Sequence, residues 1–399
     1  MASVLNSVEA HGHLSDCPSA RSATDEPVSL PLVVRWPRHK PPELSTPSAR
    51  SGNSVGGFVW FRAYSDILAH GQHVGGGRKG GNTRMAYQAR MLLDSMSESG
   101  SRLLTFELTF PRIVLSEFNT HCMISRNSAS SRAVPVKRKL FELLDDPFIP
   151  IEFGKNQSGM SAAMKLDMQR SGVAREIWLD ARDSAVWSAL ELIFGKALVG
   201  SRRSSELNRE VVESLFEIPA EDRLLDVHKQ VVNRLLEPFM WQTVIATATD
   251  WSNFFALRAS EGAQPEIQAI ARLMLEVRDE SRPQIVAAGE WHAPLLLPDE
   301  LSLARNNPRE WCMVSAGRCA RVSYLTHLGV RSIDADLSLA ARLLDAGHMS
   351  PFEHVARAMS PDEFDQHPRV GKLRGWTPFR SLIPNEHDYS LVIAARDAQ

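Results

Sequence analysis

The stretch Leu103–Pro111 reads LLTFELTFP. Leu104, Phe106, Leu108 and Phe110 alternate with Thr105, Glu107 and Thr109, and that strict period of two predicts a half-buried β-strand stopped by Pro111. Upstream, Met85, Ala89, Leu92, Leu93 and Met96 fall at helical spacing, which predicts a helix over Thr83–Met96. Downstream, residues 116–136 (SEFNTHCMISRNSASSRAVPV) start helix-like and become small and polar, as a loop dense in hydrogen-bonding groups does. Residues 176–200 and 205–280 read as mostly helical, and another helix starts at Ser350 and runs to Arg357. Helices outnumber strands and do not alternate with them as βαβ units would. The expected class is α+β, with one mixed or antiparallel sheet packed on a helical bundle.

The chain has 399 residues, enough for two or three domains or one large domain with extensions. Hydrophobic residues make up 43% and charged residues 23%, which excludes wholesale disorder and collagen. A net charge of −2 gives no global attraction to nucleic acid or to an anionic membrane. Four cysteines, Cys17, Cys122, Cys312 and Cys319, do not make a disulfide framework or a zinc site, and a reducing cytoplasm is the expected setting. No apolar run approaches the ~20 residues of a membrane span, and the N-terminus lacks a secretion signal. Residues 1–56, rich in Pro, Ser, Gly and charge, read as a flexible arm.

Gly75–Gly81 (GGGRKGG) contains G-x-G-x-x-G. It follows no predicted strand and lacks the ending of a P-loop, so a mobile glycine loop is the better reading. Two arginines fall on apolar stripes: Arg234 after Val227 and Val231, beside Leu235, and Arg258 after Trp251, Phe254 and Phe255. A core-facing arginine needs a partner, either a structural carboxylate or an anionic, carbonyl-rich ligand. In Gly347–His354 (GHMSPFEH), Ser350 suits an N-cap and Glu353 its N3 partner, a capping box; His348 and His354 flank what could equally seat a phosphate. Asn127–Arg132 (NSASSR) is a solvated turn or a phosphate cradle. Nothing supports a hydrolytic triad or a metal centre.

Together these motifs resemble those of the flavin-dependent thymidylate synthase (ThyX) family. THCMISRNSASSR stands where that family has RHR-x(7)-SxR, GHMSPFEH resembles its GHxTPFEH, and NFFALRASEGAQPEI its NFLxLRxxxHAQxEI; VNRLLEP and CARVSY echo two further family stretches. The order differs from the family's: CARVSY and GHMSPFEH follow the AQPEI helix, as in a circularly permuted domain. Thr120 and Cys122 replace the two arginines of RHR, Ser128 replaces a glutamate, and Gly262 a histidine.

The resemblance implies a permuted catalytic domain over residues 57–399. Residues 57–280 would form a nucleotide-binding and helical part, 281–310 a connector and 311–399 a flavin-binding segment. It implies a homotetramer with FAD at subunit junctions, with NAD(P)H and methylenetetrahydrofolate as co-substrates. Ser130, Arg132, Arg234, Arg258 and Glu117 would bind the uridylate; His121, Asn253, Ser350 and Glu353 would contact FAD. His348 would sit near the flavin ring, and Arg258, Ser130 and His348 would be the catalytic residues. The implied reaction is reductive C5-methylation of UMP or dUMP, with no protein nucleophile. A housekeeping dUMP-only synthase and a non-catalytic flavin- or nucleotide-binding protein are the alternatives.

Overall fold

The computed structural model describes residues 87–384 apart from 160, 161, 163, 201–205, 305 and 330. The arm expected at 1–56 and the glycine run at Gly75–Gly81 lie outside them. Strands β1 (Gln88–Ser97) and β2 (Arg102–Pro111) form a hairpin, followed by helix α1 (Leu115–Asn119), β3 (Ser125–Ser128) and α2 (Val136–Asp145). Next come α3 (Met168–Phe194), α4 (Lys196–Gly200), α5 (Arg209–Phe216), α6 (Lys229–Val232) and a 3-10 segment, Asn233–Phe239. Then β4 (Trp241–Ala248) leads to α7 (Ser252–Arg258) and α8 (Pro265–Glu280).

The stretch expected as a connector carries β5 (Gln284–Val286), β6 (Trp291–His292) and α9 (Pro298–Ala304). The remainder comprises α10 (Pro308–Ala320), α11 (Ile333–Asp345), β7 (Ala356–Ala358), α12 (Pro361–Gln366), β8 (Arg369–Val370), β9 (Leu373–Arg374) and β10 (Trp376–Pro378). The strands make three sheets rather than one: a mixed five-stranded sheet ordered β3-β4-β2-β1-β5, a three-stranded sheet β10-β7-β6, and the pair β8-β9. The α+β class stands. No helix among the described residues is long and apolar enough to cross a membrane.

Four local expectations change. The described part of the stretch expected as a helix, Thr83–Met96, is not helical: from Gln88 it is a strand, pairing antiparallel with β2 with a bulge between Met91 and Leu93. The extra residue breaks the two-residue period, and that break mimicked helical spacing. The polar loop 116–136 contains β3, and the helical stretch 205–280 is interrupted by β4; both strands form because each finds a long-range antiparallel partner. The helix expected from Ser350 to Arg357 is a single 3-10 turn, Ser350–Glu353, followed by β7.

β2 ends at Pro111 as expected, but it lies inside the sheet and both its faces are buried. One face, Leu104, Phe106, Leu108 and Phe110, joins Val244, Ala246 and Ala248 of β4 under α7 and α8. Phe106 meets Trp251 edge-on at 5.2 Å, and Phe118 meets Phe254 at 5.5 Å. Each such ring contributes about 1.5–3 kcal/mol through burial. The other face carries Thr105, Glu107 and Thr109, matched in register by Thr247, Ile245 and Thr243. Polar groups can be buried there because they bond one another: Thr105 to Thr247 at 2.7 Å and Thr109 to Thr243 at 3.2 Å.

A second core joins α2, α3, α5 and the 3-10 segment. A third element of stability is ionic. Arg318 of α10 is fully buried; it donates to both oxygens of Glu300 from α9 and, at 2.9 Å, to Asp336 from α11. Arg321 donates to the other Asp336 oxygen at 2.6 Å. These contacts require α10 and α11 to approach closely, which Gly317 permits: a Cβ there would stand 2.4 Å from the Asp336 carbonyl oxygen. We expect Gly317→Ala to lower unfolding stability by about 1–3 kcal/mol through forced separation of the helices. An unchanged urea midpoint would show that the helices can part without loss.

Candidate functional site

Three sections of chain, far apart in sequence, converge on β3. The first is the run Thr120–Arg132. His121 stands in the turn between α1 and β3, with its ring edge-on to Phe254 at 5.0 Å. Arg258, at the end of α7, donates from Nε to His121 Nε2 at 2.9 Å and from Nη2 to Thr120 Oγ1 at 3.4 Å. Guanidinium only donates, so the imidazole must accept and is neutral. Burial, then the charges of Arg258 and Arg126, push the His121 pKa down accordingly. Trp251, Phe254 and Phe255 are buried and Arg258 is half-buried, as the apolar stripe of α7 requires. Among the described residues Arg258 has no carboxylate partner, so its charge is left for something else. Arg126 is committed to backbone, donating to the carbonyls of His121 and Ile124.

The second section is Ser350–His354. Glu353 is largely buried. It accepts a hydrogen bond from Ser125 of β3, pairs with Lys372 at 3.1 Å, and pairs with Arg380. Burial alone would raise its carboxyl pKa; the Ser125 bond and the two cations outweigh that and hold it below the usual value. The capping box expected at Ser350 and Glu353 is absent: Met349 occupies the cap position and makes no side-chain cap bond. The geometry instead occurs ten residues on, where Ser360 and Glu363 cap α12 reciprocally. Glu353 cannot cap its own turn while its oxygens serve Lys372 and Arg380.

His354 is fully buried and is no phosphate ligand. Its Nδ1 meets Thr247 Oγ1 at 2.8 Å; Thr247 meets Thr105, and Thr105 meets His292 Nε2 at 2.8 Å. Ser95 closes the chain on His292 Nδ1 at 2.8 Å. Burial lowers the His354 pKa to about 4 and that of His292 to about 3.

The third section is Arg321–Tyr324, whose Ser323 carbonyl accepts the Ser130 backbone N–H at 3.1 Å. The same serine loop is held from below by Asn233, whose side-chain amide donates to the carbonyls of Ser131 and Val134. Arg234 does not face the core. Val231 and Leu235 of its expected stripe are exposed, while Val232, Leu236 and Phe239 are buried. A 3-10 winding of about three residues per turn, rather than 3.6, shifts the buried face by one position. Arg234 instead pairs at the surface with Glu237 at 2.9 Å, and Glu237 also holds Arg112.

His121, Arg258 and Glu353 are therefore gathered around one end of β3, and Ser130 around the other. Arg132, Asn253, His348 and Ser350 are exposed. Glu117, half-buried, accepts from Ser116 at 2.9 Å. Sequence reasoning missed Arg126 and Ser125, although both lie within the quoted run. It also missed Asn233, Lys372 and Arg380, which carry no local signal because their partners are distant in sequence. No cluster of metal-ligating residues occurs among the described residues.

Two measurements follow from this geometry. The buried imidazoles are neutral when folded and titrate near 6.5 when unfolded, so their stabilisation is complete above pH 6.5 and falls as pH drops toward 4. Urea midpoints should decline over that window, less steeply in His354→Gln; equal slopes would count against the assignment. Ser360→Ala should cost about 1 kcal/mol as a lost N-cap, and Ser350→Ala less than about 0.5 kcal/mol. Thermal melts of the two variants compare them directly.

Comparison with known proteins adds one positive finding. Residues 101–284 match the profile of the family described as thymidylate synthase complementing protein. No curated protein matches the chain. The matched stretch contains β2, the Thr120–Arg132 run and the Arg258 helix, and stops before Arg321–Tyr324 and Ser350–His354. Residues 101–284 are thus similar to the flavin-dependent thymidylate synthase family, the likeness that the motifs of this stretch carry.

Proposed function

We propose that the chain catalyses reductive C5-methylation of a uracil nucleotide, UMP or dUMP, giving 5-methyl-UMP or dTMP. Carbon comes from methylenetetrahydrofolate and reducing equivalents from NAD(P)H. The observation that carries this reading is the Arg258–His121 pair: a half-buried guanidinium whose described partners are neutral. An arginine so placed keeps its full charge for a ligand. The donor set around β3 suits a flavin nucleotide in the same way. Arg258 lacks a carboxylate partner, and the side chains of Ser350 and His348 bond to no described residue.

FAD, when bound, supplies the hydride chemistry. The chain's own residues orient and polarise. His121 accepts from Arg258 Nε and Thr120 from Nη2, and together they fix the guanidinium plane, leaving Nη1 to face a uracil carbonyl. Charge pushed onto that carbonyl oxygen is stabilised, which raises nucleophilicity at C5. Ser130, Arg132 and Arg234 serve the nucleotide phosphate, with Glu117 beside the nucleotide. Asn253, Ser350 and His121 contact the flavin, and His348 lies where folate or nicotinamide docks. Glu353 acts by holding β3 through Ser125.

The permuted order is part of the proposal. It is supported by Ser323 on Ser130 and Glu353 on Ser125, contacts that bring the late segments onto the matched region. So is the homotetramer: Arg132, Arg234, Ser350 and His348 lie open on one protomer, where neighbouring subunits would complete the site. One observation favours a second reading, a non-catalytic flavin or nucleotide binder. Thr120 and Cys122, both exposed, stand where the family has arginines.

Methylation assays with UMP and dUMP side by side decide between these readings. Product from either supports the enzyme; a yellow protein without turnover on both supports the binder. Arg258→Ala should lower kcat/KM at least about tenfold with the fold intact, the loss of one charge-assisted contact. Cys122→Ser should retain activity, since no thiolate takes part. Loss of product with flavin still bound would require a covalent cysteine mechanism.

A further inference from the structure

Beneath the serine loop lies a narrow cleft lined by Ser130, Ser131, Lys139, Gln242, Thr243 and Leu325, among others. Lys139 comes from the first turn of α2 and is only 3% exposed. Its ammonium has one described partner, Glu142 Oε2 at 2.6 Å. That carboxylate is shared: Arg138 donates to its other oxygen at 3.0 Å. Two cations on one carboxylate leave positive charge unbalanced, and here it sits on a buried ammonium with three donors. The neighbourhood repeats the pattern, since Glu237 is divided between Arg112 and Arg234. Lys229 meets a backbone carbonyl, that of Ala133, at 3.0 Å. A buried cation without full compensation is costly, and an anionic ligand relieves that cost.

We propose that Lys139 binds the nucleotide phosphate from beneath, opposite the hydroxyls of Ser130 and Ser131; this rests on the uridylate reading above. A tetrahedral oxyanion with three acceptor oxygens matches one ammonium and two hydroxyls. A carboxylate, with two, does not. The flexible four-carbon stem lets the ammonium rise from Glu142 into the cleft. Lys139 lies outside the motifs read from the sequence, and Asn233 holds the Ser131 carbonyl that precedes Arg132.

Calorimetric titration of the full chain with UMP, dUMP and uridine tests this. Lys139→Met should weaken binding of the nucleotide at least about tenfold while leaving uridine within about twofold. Glu142→Gln, which frees the ammonium, should tighten the nucleotide about threefold. Parallel loss of nucleotide and uridine in Lys139→Met, or an unchanged nucleotide affinity, overturns the assignment. If Lys139→Met does not fold, Glu142→Gln decides alone: tighter binding supports the proposal, and unchanged or weaker binding overturns it. A wild-type chain that binds neither nucleotide overturns the uridylate reading itself. One that binds a nucleotide but ignores both substitutions overturns only the role of Lys139.

Discussion

The hydroxyl pair Thr105–Thr247 is the constraint on which the rest depends. It lies on a face of the central sheet that would ordinarily be apolar. There it joins β2 to β4, then extends to His292 on one side and His354 on the other. Both imidazoles come from segments that follow the family-matched region, so the relay ties those segments to the sheet. Burial keeps both rings neutral, which is what allows them to bond hydroxyls without a counter-charge. An apolar face would have packed as tightly but would not have specified where β6 and the Ser350–Glu353 turn dock.

Docking of that turn sets the site. Because His354 is fixed to Thr247, Glu353 is presented to Ser125, the neighbour of Thr247 across the β3–β4 ladder. Just past the other end of this edge strand, Ser323 reaches Ser130; the Arg321–Tyr324 turn that carries it is tied to the Arg318–Glu300–Asp336 cluster through Arg321. β3 is only four residues long, yet it is held at one end through Glu353 and its ion pairs and at the other through the Ser130–Ser323 backbone bond. Its rigidity is borrowed from those contacts rather than from strand length.

Charge around β3 and the serine loop is distributed unevenly. Glu353 serves two cations, Glu142 serves two, and Glu237 serves two, whereas Arg258 leans on a neutral imidazole. In a chain with net charge −2 this local excess of positive charge is not a compositional effect. It is placed, and it suits an anionic nucleotide far better than a peptide or an apolar ligand.

The strand at Leu103–Pro111, the α+β class and the place of Arg258 at the end of the stripe Trp251, Phe254 and Phe255 were legible in the sequence. All three follow from local periodicity, which burial of one face enforces. The family likeness was legible too, because it rests on residue identities. β1, β3 and β4 were not, since a bulge, a short polar run and a strand between helices acquire their conformation from partners far along the chain. Nor was the exposure of Arg234, which depends on 3-10 winding, or the engagement of Glu353 by Lys372 and Arg380. The sequence by itself determined which residue types and motifs are present. Only the tertiary structure decided which of them meet, because hydrogen bonds and ion pairs across a sheet couple positions that no local pattern connects.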